Sequence, residues 1–176
     1  MIIHIHIPQW LVRWIIARSR RTPYFDLGDY MQRHWLFKRR GWAWLERWPR
    51  LGYVFRCSAR VHKLFRSDRE AHMHDHPWPS ISVVLEGEGT ELVPKHPESL
   101  GRAQPGLYNE ACKVRTMRPG TIIFRSASAR HKILIPQGGS MTTLFIIGPW
   151  QQDWGFFIPN IGKVYWRRYL DEWNTK

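Results

Sequence analysis

The chain has 176 residues, 43% of them hydrophobic, which is the size of one domain with enough apolar content for a packed core and excludes wholesale disorder. No apolar run approaches the roughly 18 residues that span a bilayer, and the two cysteines, Cys57 and Cys112, are too few for a disulfide framework and fit a reducing, cytoplasmic setting. The net charge of +13 is uneven, because residues 1–66 carry 14 Lys and Arg against 3 Asp and Glu, together with 6 of the 11 Trp.

Residues 2–7 alternate weakly and predict a short strand. They lack a basic lead, and Arg13 interrupts the apolar stretch that follows, which speaks against a secretory signal. Pro8 opens a predicted helix that runs to about Arg20. Trp10, Leu11, Trp14 and Ile15 fall on one face, away from Arg13, Arg20 and Arg21. That stripe either packs on the domain, the expectation here because most such helices are stabilised by burial, or meets a membrane surface or a partner groove. Residues 28–50 are less regular, with Trp35, Phe37, Trp42, Trp44 and Trp48 among Arg33, Lys38, Arg39, Arg40 and Arg47. Such interleaving either binds single-stranded nucleic acid or covers a core edge, with Arg stems on Trp faces. No helix-turn-helix, zinc-finger or RNP signature accompanies it. Residues 1–50 are therefore expected to form a basic, Trp-rich extension packed on a body formed by residues 51–176.

After residue 50 the texture changes to short β runs: Leu51–Arg56, Arg60–Phe65, Ile81–Glu86, Thr90–Val93, Cys112–Met117, Thr121–Arg125, His131–Ile135, Met141–Ile147 and Trp154–Ile158. Turns such as Arg118-Pro119-Gly120 and Gln137-Gly138-Gly139 separate them. Many short strands at close spacing predict a mainly β, antiparallel barrel or jelly roll. Lys95–Asn109 reads as a loop, and residues 163–173 predict a closing helix.

The chemistry concentrates in His72-Met73-His74-Asp75-His76-Pro77-Trp78. Residues two apart in a strand share a face, so His72, His74 and His76 point one way and Asp75 the other. Imidazole is the commonest neutral metal ligand, and a pair of them makes half of a metal site. His62 lies on the preceding run, as a core, surface or supporting residue. His4 and His6 form another His-x-His with no third ligand nearby and read as strand residues.

This segment resembles the first motif of the cupin superfamily, a His-x-His followed at fixed spacing by Glu and Gly. From His74 and His76, the Glu position falls on Ser80 and the Gly on Gly87. The second cupin motif is matched in its turn glycine, Gly120, and its histidine, His131, but not in its second Gly, its Pro or its Asn. The His-Asp-His-Pro-Trp run and Gly148–Phe157 also look like a group of cupin-like proteins of phages and bacteria to which no reaction is attached. The resemblance covers roughly residues 50–160. It implies a cupin-type double-stranded β-helix with a metal held by His74, His76 and His131, and with His72 at the rim or as a fourth ligand.

Without the usual carboxylate, such a site resembles the three-His thiol dioxygenase branch and not the two-His-one-carboxylate oxygenases. Fe(II) is the first expectation, with Zn, Mn or Ni as alternatives. A dioxygenase-like enzyme acting on a small anionic or thiol substrate follows. Ser80 would hydrogen-bond a ligand histidine or a metal-bound water, Arg125 would clamp the substrate anion, and Tyr53 and Trp78 would line the cavity. Arg56 and Arg60 are further candidate clamps. Two other readings stand beside it. One is a non-catalytic scaffold or small-ligand binder whose basic first third meets nucleic acid or an acidic protein. The other is an isomerase or hydrolase that needs no O2. Exposed Trp residues would also suit a homodimer.

Overall fold

The computed structural model describes residues 1–37, 57–96 and 112–173. Its strands are β1 (Ile2–His4), β2 (Pro23–Asp26), β3 (Met31–Phe37), β4 (Ser58–Leu64), β5 (Ser80–Gly87), β6 (Gly89–Pro94), β7 (Cys112–Met117), β8 (Thr121–Arg125), β9 (Lys132–Leu134), β10 (Met141–Ile147), β11 (Gly155–Ile158) and β12 (Gly162–Tyr165). Among the described residues two helices join them, α1 (Gln9–Arg20) and α2 (Trp166–Trp173).

Seven strands form one sheet in the order β1-β8-β5-β10-β4-β3-β2, every neighbouring pair antiparallel. A second sheet runs β7-β6-β9, and β11 pairs with β12. His74 bridges these last two pieces, pairing with His131 on one side and Phe156 on the other. The arrangement is the mainly β, jelly-roll type of barrel that the turn spacing predicts.

Strand alternation sends Met31, Leu64, Val84, Ile123 and Met141 of the large sheet inward, where they meet Met117, Ile133 and Ile135. The outer face presents Val61, Val83, Leu85 and Leu144 to Val12 and Ile15 of α1. The buried side of the helix is thus Val12, Ile15 and Ser19, and Trp10 and Trp14 of the predicted stripe are 70% and 57% exposed. At 3.6 residues per turn Trp10 and Trp14 fall about half a turn from Val12, so they cannot share its face.

The first 37 described residues do more than pack on the barrel. They supply β1, β2 and β3 to the large sheet. Met31–Phe37, read as irregular in the sequence, is a strand paired along its length with β4. The boundary expected at residue 50, the run Leu51–Arg56, and most of the Lys95–Asn109 loop lie outside the described residues. The C-terminal helix is shorter than predicted, because Gly162–Tyr165 pairs with β11 before the chain turns helical at Trp166.

Two motif glycines are required by geometry. Gly87 has φ +70°, and a Cβ there would lie 1.9 Å from the Ser140 carbonyl oxygen. Gly120 has φ +87°, and its Cβ would lie 2.0 Å from the carbonyl oxygen of Ile5. Both conformations are open to glycine without the steric penalty other residues pay.

Candidate metal centre

The site begins with backbone pairing. The amides of His74 and His131 each donate to the other's carbonyl, both at 3.0 Å. Directly opposed residues project their side chains to the same face of an antiparallel pair. His76, two residues on, projects to that face too. The three rings form a near-equilateral cluster, with centroids 5.2 Å (His74–His76), 4.9 Å (His74–His131) and 5.0 Å (His76–His131) apart. One ring nitrogen from each lies within 4.8 Å of the other two.

Asp75 faces away, as alternation predicts. Its Oδ1 accepts the Gly155 amide at 2.9 Å, and its Oδ2 accepts Lys163 Nζ at 2.6 Å and Gln152 Nε2 at 2.9 Å. Gln152 Nε2 also lies 3.1 Å from the His76 carbonyl oxygen and 3.0 Å from that of Ala127. The His-Asp-His segment is therefore braced from behind by the Gly148–Phe157 stretch. Trp154 and Phe156 wall the cluster beside His74, and Phe145 walls it beside His76.

The residue that sequence reasoning missed is Glu91, which is wholly buried. Its Oε1 accepts from His131 Nδ1 at 2.9 Å and from Arg125 Nε at 2.6 Å, and its Oε2 pairs with Arg115 at 3.2 Å. Arg115 lies directly opposite Glu91 in the β6–β7 register. Burial alone would raise the carboxyl's pKa. The hydrogen bond from His131 and the charge of Arg125 overcome that and hold it well below the usual carboxylate range. The only signal in the sequence was a charged residue inside an otherwise β-forming run.

Glu91 fixes the tautomer of its neighbour. Burial first, then Arg125, pull the pKa of His131 down to about 4, against the raising effect of Glu91. His131 is thus neutral near pH 7, with Nδ1–H donating to Glu91 and the Nε2 lone pair pointing at His76. His76 Nε2 lies 2.8 Å from His131 Nε2. Burial and the neighbouring cationic and imidazole groups also push His76 well below its ordinary value.

This donor set fits a divalent metal. Two nitrogens at the usual distance of about 2.0–2.1 Å from one ion can stand at most about 4.2 Å apart, and the 2.8 Å pair already satisfies that limit. The carboxylate on the far nitrogen of His131 is the familiar support for a metal-binding imidazole. Glu91 is a support and not a ligand, since it reaches Nδ1 while Nε2 faces the cluster.

The other candidates are distributed as follows. His72 turns away, to within 3.0 Å of the Tyr169 hydroxyl, and is not part of the three-His group. His62 is buried on the inner face against Phe145, burial lowering its pKa strongly. The Ser80 hydroxyl is buried but does not make the expected hydrogen bond to a ligand histidine. Among the described residues, Ser80 Oγ, His62 Nε2 and Trp78 Nε1 are buried without a hydrogen-bond partner, the kind of group that water or a ligand satisfies. Arg125 spends its donors on Glu91 and, at 2.6 Å, on Ser82 Oγ. Arg60 stacks on Trp35 at 4.5 Å, with Tyr24 and Trp78 nearby. His4 Nδ1 lies 3.1 Å from Thr121 Oγ1 on the neighbouring strand, and His6 is exposed. Tyr53 and Arg56 lie outside the described residues. Cys57 is half-buried and Cys112 buried, and neither is in a disulfide. No helix among the described residues is long and apolar enough to cross a membrane.

No family model and no curated protein matches the chain. Among solved structures it is similar to the polyketide cyclase RemF from Streptomyces resistomycificus, at 14% identity over 76% of this chain and 75% of that one, with a TM-score of 0.49. It is also similar to a cupin 2 conserved barrel domain protein from Rhodopseudomonas palustris, at 12% identity over 79% and 77%, with a TM-score of 0.48. An RmlC-like cupin from Shewanella frigidimarina shares 16% identity over 76% and 89%, with a TM-score of 0.46.

Proposed function

We propose that this protein is a metal-dependent enzyme, with His74, His76 and His131 holding one divalent ion, Fe(II) first, and with a dioxygenase-like reaction on a small anionic or thiol substrate. The observation that carries the reading is the convergence of three imidazoles within 4.8 Å, one of them oriented by a buried carboxylate. Three neutral ligands leave the full charge on the ion, which would supply Lewis acidity and, if iron, O2 chemistry. Around it the chain's own groups hold the ligand rings. Glu91 keeps the His131 proton on Nδ1, and Gln152, itself held by Asp75, donates to the His76 carbonyl. A cytoplasmic location belongs to the same proposal.

Elemental analysis of the purified protein beside His74→Ala and His131→Ala variants tests it. Stoichiometric metal that is lost in both folded variants is the expected result, with iron favouring the oxygenase reading over the Zn, Mn or Ni alternatives. Absence of metal after anaerobic reconstitution with Fe(II) overturns it.

The exposure of Trp10 and Trp14 on a helix bearing Arg13 and Arg18 supports a second reading, a binding module whose first third meets an acidic partner. Binding to a single-stranded oligonucleotide that weakens steeply with salt and survives loss of the three histidines would favour it.

A further inference from the structure

Strand alternation places two cations on the inner face of the large sheet. Arg33 of β3, and Arg60 and His62 of β4, share the face of the core residues Met31 and Leu64. The register sets Arg33 opposite His62 and Trp35 opposite Arg60. Among the described residues neither guanidinium has an ion pair, whereas Arg125 is committed to Glu91. Arg33 Nε meets the Met31 sulfur at 3.2 Å, which is no counter-charge. The Arg60 Cζ lies 4.5 Å from the ring centre of Trp35, 5.1 Å from that of Tyr24 and 5.6 Å from that of Trp78. Those rings hold the guanidinium by its faces and leave its edge, and Arg60 Nε is buried with no hydrogen-bond partner among the described residues. His62 Nε2 is in the same state, on a residue only 8% exposed. Burial works against the charge of both arginines. Half-desolvated charges without a partner are costly, and an anion brought to them relieves that cost. Tyr24, on the edge strand β2, is 46% exposed, so the pair is reachable from solvent. Phe145 connects it to the candidate metal centre, its ring centre lying 4.9 Å from that of His62 and 6.0 Å from that of His76.

We infer that Arg33 and Arg60 together receive the oxyanion end, a carboxylate or phosphate, of a small ligand whose other end extends past Phe145 toward His76. The free edge of a stacked guanidinium offers parallel N–H donors that match two oxygens of either anion. The stacking rings fix the plane of Arg60 beforehand, so little side-chain freedom is lost on binding. His62, buried beside them, supplies a ring nitrogen for a further hydrogen bond to the ligand. For its catalytic meaning the inference rests on the metal-site reading, to which it adds the residues that hold the ligand's charge and the side from which it enters. Anion binding itself needs no metal.

The experiment is a calorimetric titration of the full chain, as purified and after chelator treatment, with inorganic phosphate and with succinate at constant ionic strength. Saturable one-to-one binding of at least one probe is expected in both forms, and which probe binds separates the phosphate from the carboxylate source. Arg33→Met and Arg60→Met keep an apolar stem on the same face, and each should weaken binding roughly tenfold, the loss of a charge-assisted hydrogen bond. The bound probe should raise the Tm of the parent and not that of Arg60→Met, a response that a purely structural arginine would not remove. Arg60→Lys, which keeps the charge without the paired donors, should bind with intermediate affinity, and it carries the test with Arg33→Met if Arg60→Met does not fold. Arg13→Gln removes the same charge from the exposed face of α1, across the large sheet, and should leave affinity nearly unchanged. His74→Ala should retain anion binding, so a protein that binds the anion yet holds no metal would refute the proposed function and leave this site standing. No saturable binding of either probe, binding that vanishes on chelation, unchanged affinity in the Arg33 and Arg60 variants, or an equal loss in Arg13→Gln overturns the inference.

Discussion

Glu91→Gln tests the central polar assembly with almost no change in shape. The Glu91 side chain is 0% exposed and that of Arg125 3%, so the pair is fully desolvated. Glutamine keeps one oxygen to accept from His131 or Arg125 but removes the charge that balances two arginines. Breaking a buried pair by neutralising one member typically destabilises by about 3–5 kcal/mol, because the other charge is left buried without compensation. For a domain of this size each kcal/mol moves Tm by about 2–4 °C, which predicts a fall of roughly 6–20 °C in the metal-free protein. Replacing both partners removes the orphaned charge. Glu91→Gln in an Arg125→Met background should therefore lower Tm by clearly less than the sum of the single changes, a coupling of about 1.5 kcal/mol or more. Differential scanning calorimetry on the four proteins gives the cycle, and competitive metal titration adds a second axis. Weakened support for His131 should reduce metal affinity about 10- to 100-fold. A Glu91→Gln protein with Tm within about 2 °C of the parent, or strict additivity in the cycle, would refute the assignment of Glu91 as the keystone of this assembly.

Acidification should destabilise the metal-free protein. The pKa of His131 is about 4 in the folded state against 6.5 for an ordinary histidine, so between those values the unfolded chain binds the extra proton. Stability is then fullest above pH 6.5 and declines toward pH 4, by about 3 kcal/mol from this group, with His62 and His76 adding in the same direction. Urea titrations from pH 7.5 to 4.5 read the slope, and a flat profile would show that these rings are not held neutral. His72→Phe should leave metal content unchanged, since His72 is turned toward Tyr169; loss of metal would make it a fourth ligand. Gln152→Leu should lower stability by about 1–3 kcal/mol, because it leaves the His76 carbonyl oxygen without its donor and takes one hydrogen bond each from Asp75 and the Ala127 carbonyl, measured by chemical denaturation, and an unchanged midpoint would show that the His76 carbonyl finds another partner. Gly120→Ala should cost at least as much, or prevent folding, from the 2.0 Å approach to Ile5, read as soluble yield and Tm.

The strands legible in the sequence were those with β-branched runs closed by Pro-Gly or Gly-Gly turns. Cys112–Met117, Thr121–Arg125 and Met141–Ile147 have the same limits in the structure. Pro23–Asp26 was not legible, because an edge strand exposed at all four residues has no alternation to read. Met31–Phe37 was hidden by Arg33 and Trp35, which suit a partly buried strand only once the neighbouring strand is known. The stripe on α1 was misassigned because Trp10/Trp14 and Leu11/Ile15 have the same spacing, and hydrophobicity alone favours the tryptophans. At the site, His74 and His76 were local and readable, and His131 came through motif resemblance. Glu91 was out of reach. Its partners lie on β7, at the end of β8 and just before β9, so only the three-dimensional register brings them together.

The reciprocal backbone pair between His74 and His131 has a kinetic consequence. His76 and His131 are 55 positions apart in the chain, and the two-way amide pairing that aligns their segments forms only when the second sheet closes. An unfolded or half-folded chain offers His74 and His76 without His131, a weaker and more flexible chelate. Capture of an ion at the proposed site would thus be a late event that follows sheet closure, and the bound ion would act mainly on the rate of opening. Amide exchange at His74 and His131 should slow together when the ion is added, while amides on β2 continue to exchange as before.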